Sequence, residues 1–330
     1  MFGGDVSGVT KDGPIPVHLL SVFVTGVRSY EINLKTLFLE SLSGDSWTAH
    51  YDNTKPFSDA AEEPRVSDDL LQHLHSTNYT SRTMFSKVYR FMKWLGFEKL
   101  PRTVWTQSIF SRNWSKDNMI CQPATAYDMV AGEDYRIKAC LQLGEGDWIA
   151  AHKLMSQLYY KFSARKQPTL LREPMNPSLP AAVSGAFETI ASNVDYLKAN
   201  KLLSPSAEPN EPAVINRLYK EALEDLVRLP FDIVADKWRY AVFDHGLSRG
   251  KGGGNWSSEW WSMREKYQGV SAPSEAGEGV MEFDAVASPA IAQQHAPASR
   301  HFVSYVAQFQ VLKRLCEGSG AKTLVRGGDC

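Results

Sequence analysis

The sequence predicts a mainly helical protein. Apolar residues recur at three- and four-residue spacing through Val66–Ser76 and Thr80–Trp94, the pattern of helices with one buried face. Arg300–Glu317 repeats that pattern and reads as a strongly amphipathic closing helix. Nine tryptophans in 330 residues suit a large folded core rather than a disordered chain.

The remaining elements follow from local signals. Gly96 is a natural stop for the helix that ends near Trp94. Leu100 to Asn118 reads as loop and short helix. Gly146–Phe162 is a helix, with Asp147 a candidate N-cap because its short carboxylate can accept an orphan N–H. Leu179–Ala199 is the next helix, and Ser204–Pro212 is a loop by composition. Ala213–Leu229 and Phe231–Phe243 are two helices separated at Pro230. Gly246–Gly254 is a flexible turn, Glu259–Tyr267 a helix and Ser271–Ser299 a long irregular segment.

A chain of 330 residues can bury one large core or two smaller ones. The net charge is −1 and no basic tract interleaves with aromatics, so nucleic-acid binding is unsupported. No apolar run reaches the length of a membrane span. The first residues lack the basic start and apolar stretch of a signal peptide. Four cysteines can pair in three ways. Asn78, Asn113 and Asn255 stand in glycosylation sequons, which also arise by chance. Gly246 to Gly252 only loosely resembles a phosphate loop: three residues separate its first glycines where four are needed, and Gly follows Lys251 in place of Ser or Thr.

The chemistry-bearing stretch is His152-Lys153-Leu-Met-Ser156, inside the predicted helix. It has the frame of H-E-x-x-H, in which two imidazoles one turn apart hold zinc and the Glu between them serves as general base. Here the first His stands, Lys153 takes the base position and Ser156 the second ligand position. Taken alone, His152 is a packed helix residue beside Trp148 and Tyr159, and Lys153 is a solvated one. His73 and His75, two residues apart, point to different sides of a helix and make a poor chelate.

The text around this helix resembles the angiotensin-converting enzyme family of zinc peptidyl-dipeptidases. Gly13-Pro-Ile-Pro-Val-His-Leu-Leu20, Ala124-Thr-Ala-Tyr-Asp128, Asp134-Tyr-Arg-Ile-Lys-Ala-Cys140 and Leu229-Pro-Phe231 carry it. So do Asp236-Lys-Trp-Arg239, Trp260-Trp261-Ser-Met-Arg264-Glu-Lys-Tyr-Gln-Gly269, Phe283-Asp-Ala285 and the run from Arg300 to Gln310. Their order and spacing make chance agreement implausible. The resemblance implies a large helical zincin-like peptidase fold, here its C-terminal subdomain, with a very small β element between Cys121 and Cys140.

It also implies a degenerate site. His152 falls on the first zinc-ligand His, Lys153 on the catalytic Glu, Ser156 on the second zinc His and Ala181 on the ligand Glu, with Pro180 at the neighbouring His. Glu173 matches a non-ligand position. His301 falls on the Tyr that polarises the scissile carbonyl, and Ala298 on a Tyr that helps bind the substrate carboxylate. The family's upstream Lys and His fall near Pro289 and Ile291, and the His beside Cys121 has no clear counterpart around Gln122–Pro123. Zinc and chloride are the family's cofactors. Trp260, Trp261, Arg264 and Arg300 match chloride-site residues, for which core packing is the competing role. With one zinc ligand of three and no base, no zinc is expected, and a Lys153 ammonium would repel a dication.

The resemblance selects the pairings Cys121–Cys140 and Cys316–Cys330 and implies an extracellular setting, secreted or membrane-associated through segments outside this chain. It begins in mid-domain, so the chain is expected to be truncated. Residues 1–20 start the match, 21–42 form an unmatched insertion expected to lack settled structure, and 43–330 supply the C-terminal part of the peptidase domain. The leading functional expectation is a non-catalytic pseudopeptidase that binds peptides or an extracellular protein. The alternatives are an active zinc-dependent peptidyl-dipeptidase and a piece with no independent function.

Overall fold

A computed structural model describes residues 76, 79–112, 124–130, 132–203, 229–243, 256–269 and 297–319. Helix α1 (Ser81–Trp94) opens at Thr80, whose side chain accepts the Thr83 N–H at 3.1 Å. Met84, Phe85, Val88, Phe91 and Met92 line its buried face. Gly96 ends it with φ +92°, a left-handed conformation that glycine adopts without a Cβ penalty.

After a single turn, α2 (Thr103–Thr106), the chain forms a two-stranded antiparallel sheet from β1 (Thr125–Val130) and β2 (Asp134–Lys138). Ala126 pairs with Ile137 and Asp128 with Tyr135. Asp128 Oδ1 accepts the Gly132 N–H at 2.9 Å and closes the turn.

Helix α3 (Glu145–Ala164) is the central element: Trp148, Ala151, His152, Leu154, Met155, Ser156, Leu158, Tyr159 and Phe162 are all buried. A helix apolar around most of its circumference belongs inside a core rather than on it. Its N-cap is Gly144, not Asp147. Asp147 lies three residues in, and its carboxylate accepts N–H groups of Gln142 and Gly144, the reach-back half of a capping box.

The expected helix Leu179–Ala199 is two helices, α4 (Ser178–Ala191) and α5 (Val194–Ala199). Asn193 breaks them: it takes an extended backbone and its Oδ1 accepts the Tyr196 N–H at 3.0 Å. A side chain suited to start a helix here outweighs continuation of the previous one.

The chain divides into two units, Met1–Phe57 with Ile215–Ser299, and Ser58–Val214 with Arg300–Cys330. In the first, residues 229–243 are helical (α6), Leu229 and Pro230 included, and the expected helix over 213–228 lies outside the described residues. Helix α7 (Trp256–Gln268) starts three residues earlier than expected. Trp260 meets Trp238 and Phe231 edge-on at 5.7 and 5.9 Å. The Asp236 carboxylate accepts the backbone N–H groups of Ala298 and Ser299, each at 2.8 Å.

In the second unit, α8 (Arg300–Ser319) lies along α4, and α4 along α3. The approach of α8 to α4 is close enough that a Cβ on Gly185 would stand 1.9 Å from Gln308 Oε1. Among the described residues no helix is long and apolar enough to cross a membrane. The expectations for Val66–His75, Ser204–Pro212, Gly246–Gly254, most of Ser271–Ser299 and the Ser21–Leu42 insertion lie outside the described residues.

Candidate functional site

His152 is fully buried in the middle of α3. Its Nδ1 lies 2.9 Å from the Trp148 carbonyl oxygen, and its Nε2 lies 3.0 Å from the Tyr196 hydroxyl. A carbonyl can only accept, so Nδ1 carries the ring proton and Nε2 presents the lone pair, to which Tyr196 donates. Burial lowers the His152 pKa to about 4, against a smaller opposing contribution from the bond to Trp148. Burial likewise pushes the Tyr196 hydroxyl well above its ordinary range. At neutral pH both groups are therefore uncharged, and the tyrosine keeps the proton it donates.

Aromatic rings enclose the pair. Trp148 stands 4.5 Å from the imidazole, Tyr196 5.5 Å and Phe91 6.3 Å. Trp148 Nε1 donates to the Ala191 carbonyl at 3.1 Å, tying α3 to the end of α4. Tyr159, expected beside His152, instead donates its hydroxyl to the Glu98 carbonyl at 3.1 Å and packs on Phe97 at 4.9 Å.

Lys153 Nζ pairs with Glu188 Oε1 on α4 at 2.9 Å, and its side chain is 49% exposed. It is an ion-paired residue rather than a merely solvated one. Ser156 donates to the Lys153 carbonyl at 2.7 Å and sits 3.3 Å from the Ser184 hydroxyl, which donates to the Pro180 carbonyl at 3.0 Å. Ala181 is half-buried near the start of α4. A catalytic zinc needs three protein ligands and an open position. Among the described residues no group of three or more His, Cys, Asp and Glu could hold a metal. An imidazole with both nitrogens engaged, an ion-paired ammonium, a hydroxyl and a methyl do not fit zinc.

The other expected residues fall elsewhere. His301 is half-buried in the first turn of α8, where its carbonyl accepts the Ser304 hydroxyl at 2.8 Å. Ala298 is fully buried in the core of the first unit. There the buried Arg264 guanidinium lies 5.8 Å from the Trp260 ring and 5.4 Å from Trp261, within cation–π range. Arg300 begins α8 in the second unit. Cys140 and Cys316 are not free thiols. Cys121, Cys330, Asn78, Asn113, Asn255, Pro289 and Ile291 lie outside the described residues.

Sequence reasoning missed Tyr196 and Glu188. The signal for Tyr196 was Asn193 followed by Val194 and Asp195, a helix start hidden in an apparently continuous helix.

The fold and site define a class: a mainly helical domain whose central helix carries a packed histidine and, among the described residues, no metal-ligand set. The chain belongs to the angiotensin-converting enzyme family, whose model matches residues 5–329. It is 41% identical over 310 residues to the inactive angiotensin-converting enzyme-related protein of Caenorhabditis elegans, covering 94% of this chain and 31% of that protein. To angiotensin-converting enzyme of Bos taurus it is 31% identical over 323 residues, covering 97% of this chain and 22% of the relative. To that of Haematobia irritans exigua it is 29% identical, covering 97% and 46%. The chain thus spans less than half the length of each of these relatives.

Proposed function

We propose that this chain is a non-catalytic member of its family, a pseudopeptidase whose role is binding rather than hydrolysis. The observation that carries this reading is the state of His152: its one lone pair is taken by Tyr196 and both ring nitrogens are bonded within the core. By resemblance, Lys153, Ser156 and Ala181 stand where the family places its base and two further zinc ligands. A lysine engaged with Glu188 cannot take a proton from a metal-bound water. The similarity to the inactive angiotensin-converting enzyme-related protein of Caenorhabditis elegans supports this reading.

The reading extends to an extracellular setting with the pairings Cys121–Cys140 and Cys316–Cys330. Support comes from Cys140 and Cys316 not being free. Residues 43–330 are assigned to the C-terminal part of the peptidase domain, with peptides or an extracellular protein as ligands.

Zinc stoichiometry of the purified chain tests the proposal, together with release of a C-terminal dipeptide from a tripeptide-length reporter. Less than stoichiometric zinc and no chelator-sensitive release are expected. One tightly held zinc per chain, with release abolished by chelator, would establish an active peptidyl-dipeptidase instead.

A further inference from the structure

We infer that Tyr196 itself bars metal from His152, whatever stands at residues 153, 156 and 181. This rests on the non-catalytic reading and adds a cause to it: the site is closed as well as short of ligands. An imidazole ligates through an unprotonated nitrogen. Nδ1 cannot serve, because the Trp148 carbonyl requires its proton at 2.9 Å. Nε2 is the remaining lone pair, and the Tyr196 hydroxyl occupies it at 3.0 Å.

Tyr196 is held in place from three sides. Its N–H is bonded to Asn193 Oδ1 at 3.0 Å, its carbonyl accepts Asn200 Nδ2 at 2.9 Å, and its ring packs on Phe91 at 4.7 Å. A metal reaching Nε2 would evict the hydroxyl from its bond to the imidazole, inside packing formed by Phe91 and Trp148. Moving the ring proton to Nε2 would leave an unprotonated Nδ1 facing the Trp148 carbonyl, two acceptors with no proton between them.

The test restores the ligand set in the full chain with and without the tyrosine hydroxyl. One variant carries Lys153→Ala, Ser156→His and Ala181→Glu; the second adds Tyr196→Phe. Zinc affinity by equilibrium dialysis, and the visible spectrum with cobalt, report binding. The second variant is expected to bind roughly tenfold tighter or more, the scale of one hydrogen bond. Equal affinity, tighter binding by the first, or binding by neither overturns the inference. A parent chain that holds stoichiometric zinc sinks the non-catalytic reading as well; a zinc-free parent with two equal variants sinks only the role of Tyr196. Should the restored variants fail to fold, ¹⁵N spectra of the parent and of Tyr196→Phe alone decide it. The His152 Nε2 resonance should shift toward that of a free lone pair when the hydroxyl is removed, and an unchanged resonance refutes the bond.

Discussion

His152 donates through Nδ1 to the carbonyl of Trp148, one turn earlier in the same helix, at 2.9 Å. Burial of the ring holds the imidazole neutral, with its pKa lowered from 6.5 to about 4 against the smaller opposing effect of that bond. The unfolded chain binds this proton at higher pH than the native one, so stability is lost as pH falls from 6.5 toward 4 and changes no further below. A drop of about 3 kcal/mol across that window is expected from this group. Urea unfolding at a series of pH values should show it in the parent and not in His152→Leu. Parallel pH profiles for the two proteins would refute the assignment.

Asn193 sets the break that brings Tyr196 to His152. Asn193→Ala removes the N-cap of α5 and should cost about 1 kcal/mol. Asn193→Asp should retain most of the stability, because its carboxylate can accept the same N–H. Denaturant midpoints of the three proteins check the order.

The Lys153–Glu188 pair is half-exposed and joins α3 to α4. Its coupling energy in a double-mutant cycle should be below about 1 kcal/mol and should shrink in high salt. Lys153→Glu alone should cost more than Lys153→Ala, because it faces Glu188 with a like charge. Adding Glu188→Lys should recover much of that loss.

Gly185 lets α8 approach α4. An alanine there would displace only the flexible end of Gln308 but would also stand 3.3 Å from its Cβ. Its helix propensity offsets that crowding, so Gly185→Ala should change stability by no more than about 1 kcal/mol. Gly185→Leu has no such room and should cost about 1–3 kcal/mol. Equal thermal midpoints for Gly185→Leu and the parent would refute the close approach.

The legible parts of the fold were those encoded within a few residues. Thr80 and Gly96 bound α1, and the apolar spacing between them marks its buried face. The hairpin between Cys121 and Cys140 was expected from resemblance and is found at Thr125–Lys138. Asp147 was recognised as a helix-start residue but placed three positions early: the same carboxylate serves at the N-cap or at the third position, and the sequence does not separate the two.

The family, the helical class and the presence of one histidine beside a lysine, a serine and an alanine were all written in the chain itself, because each depends on residue identity and local spacing. Which atoms His152 touches could not be, because Tyr196 reaches it from 44 residues away, across a break that one asparagine side chain makes. Whether a lone histidine is open to a ligand or sealed in a core depends on what packs against it from other segments, and that is a property of the assembled helices.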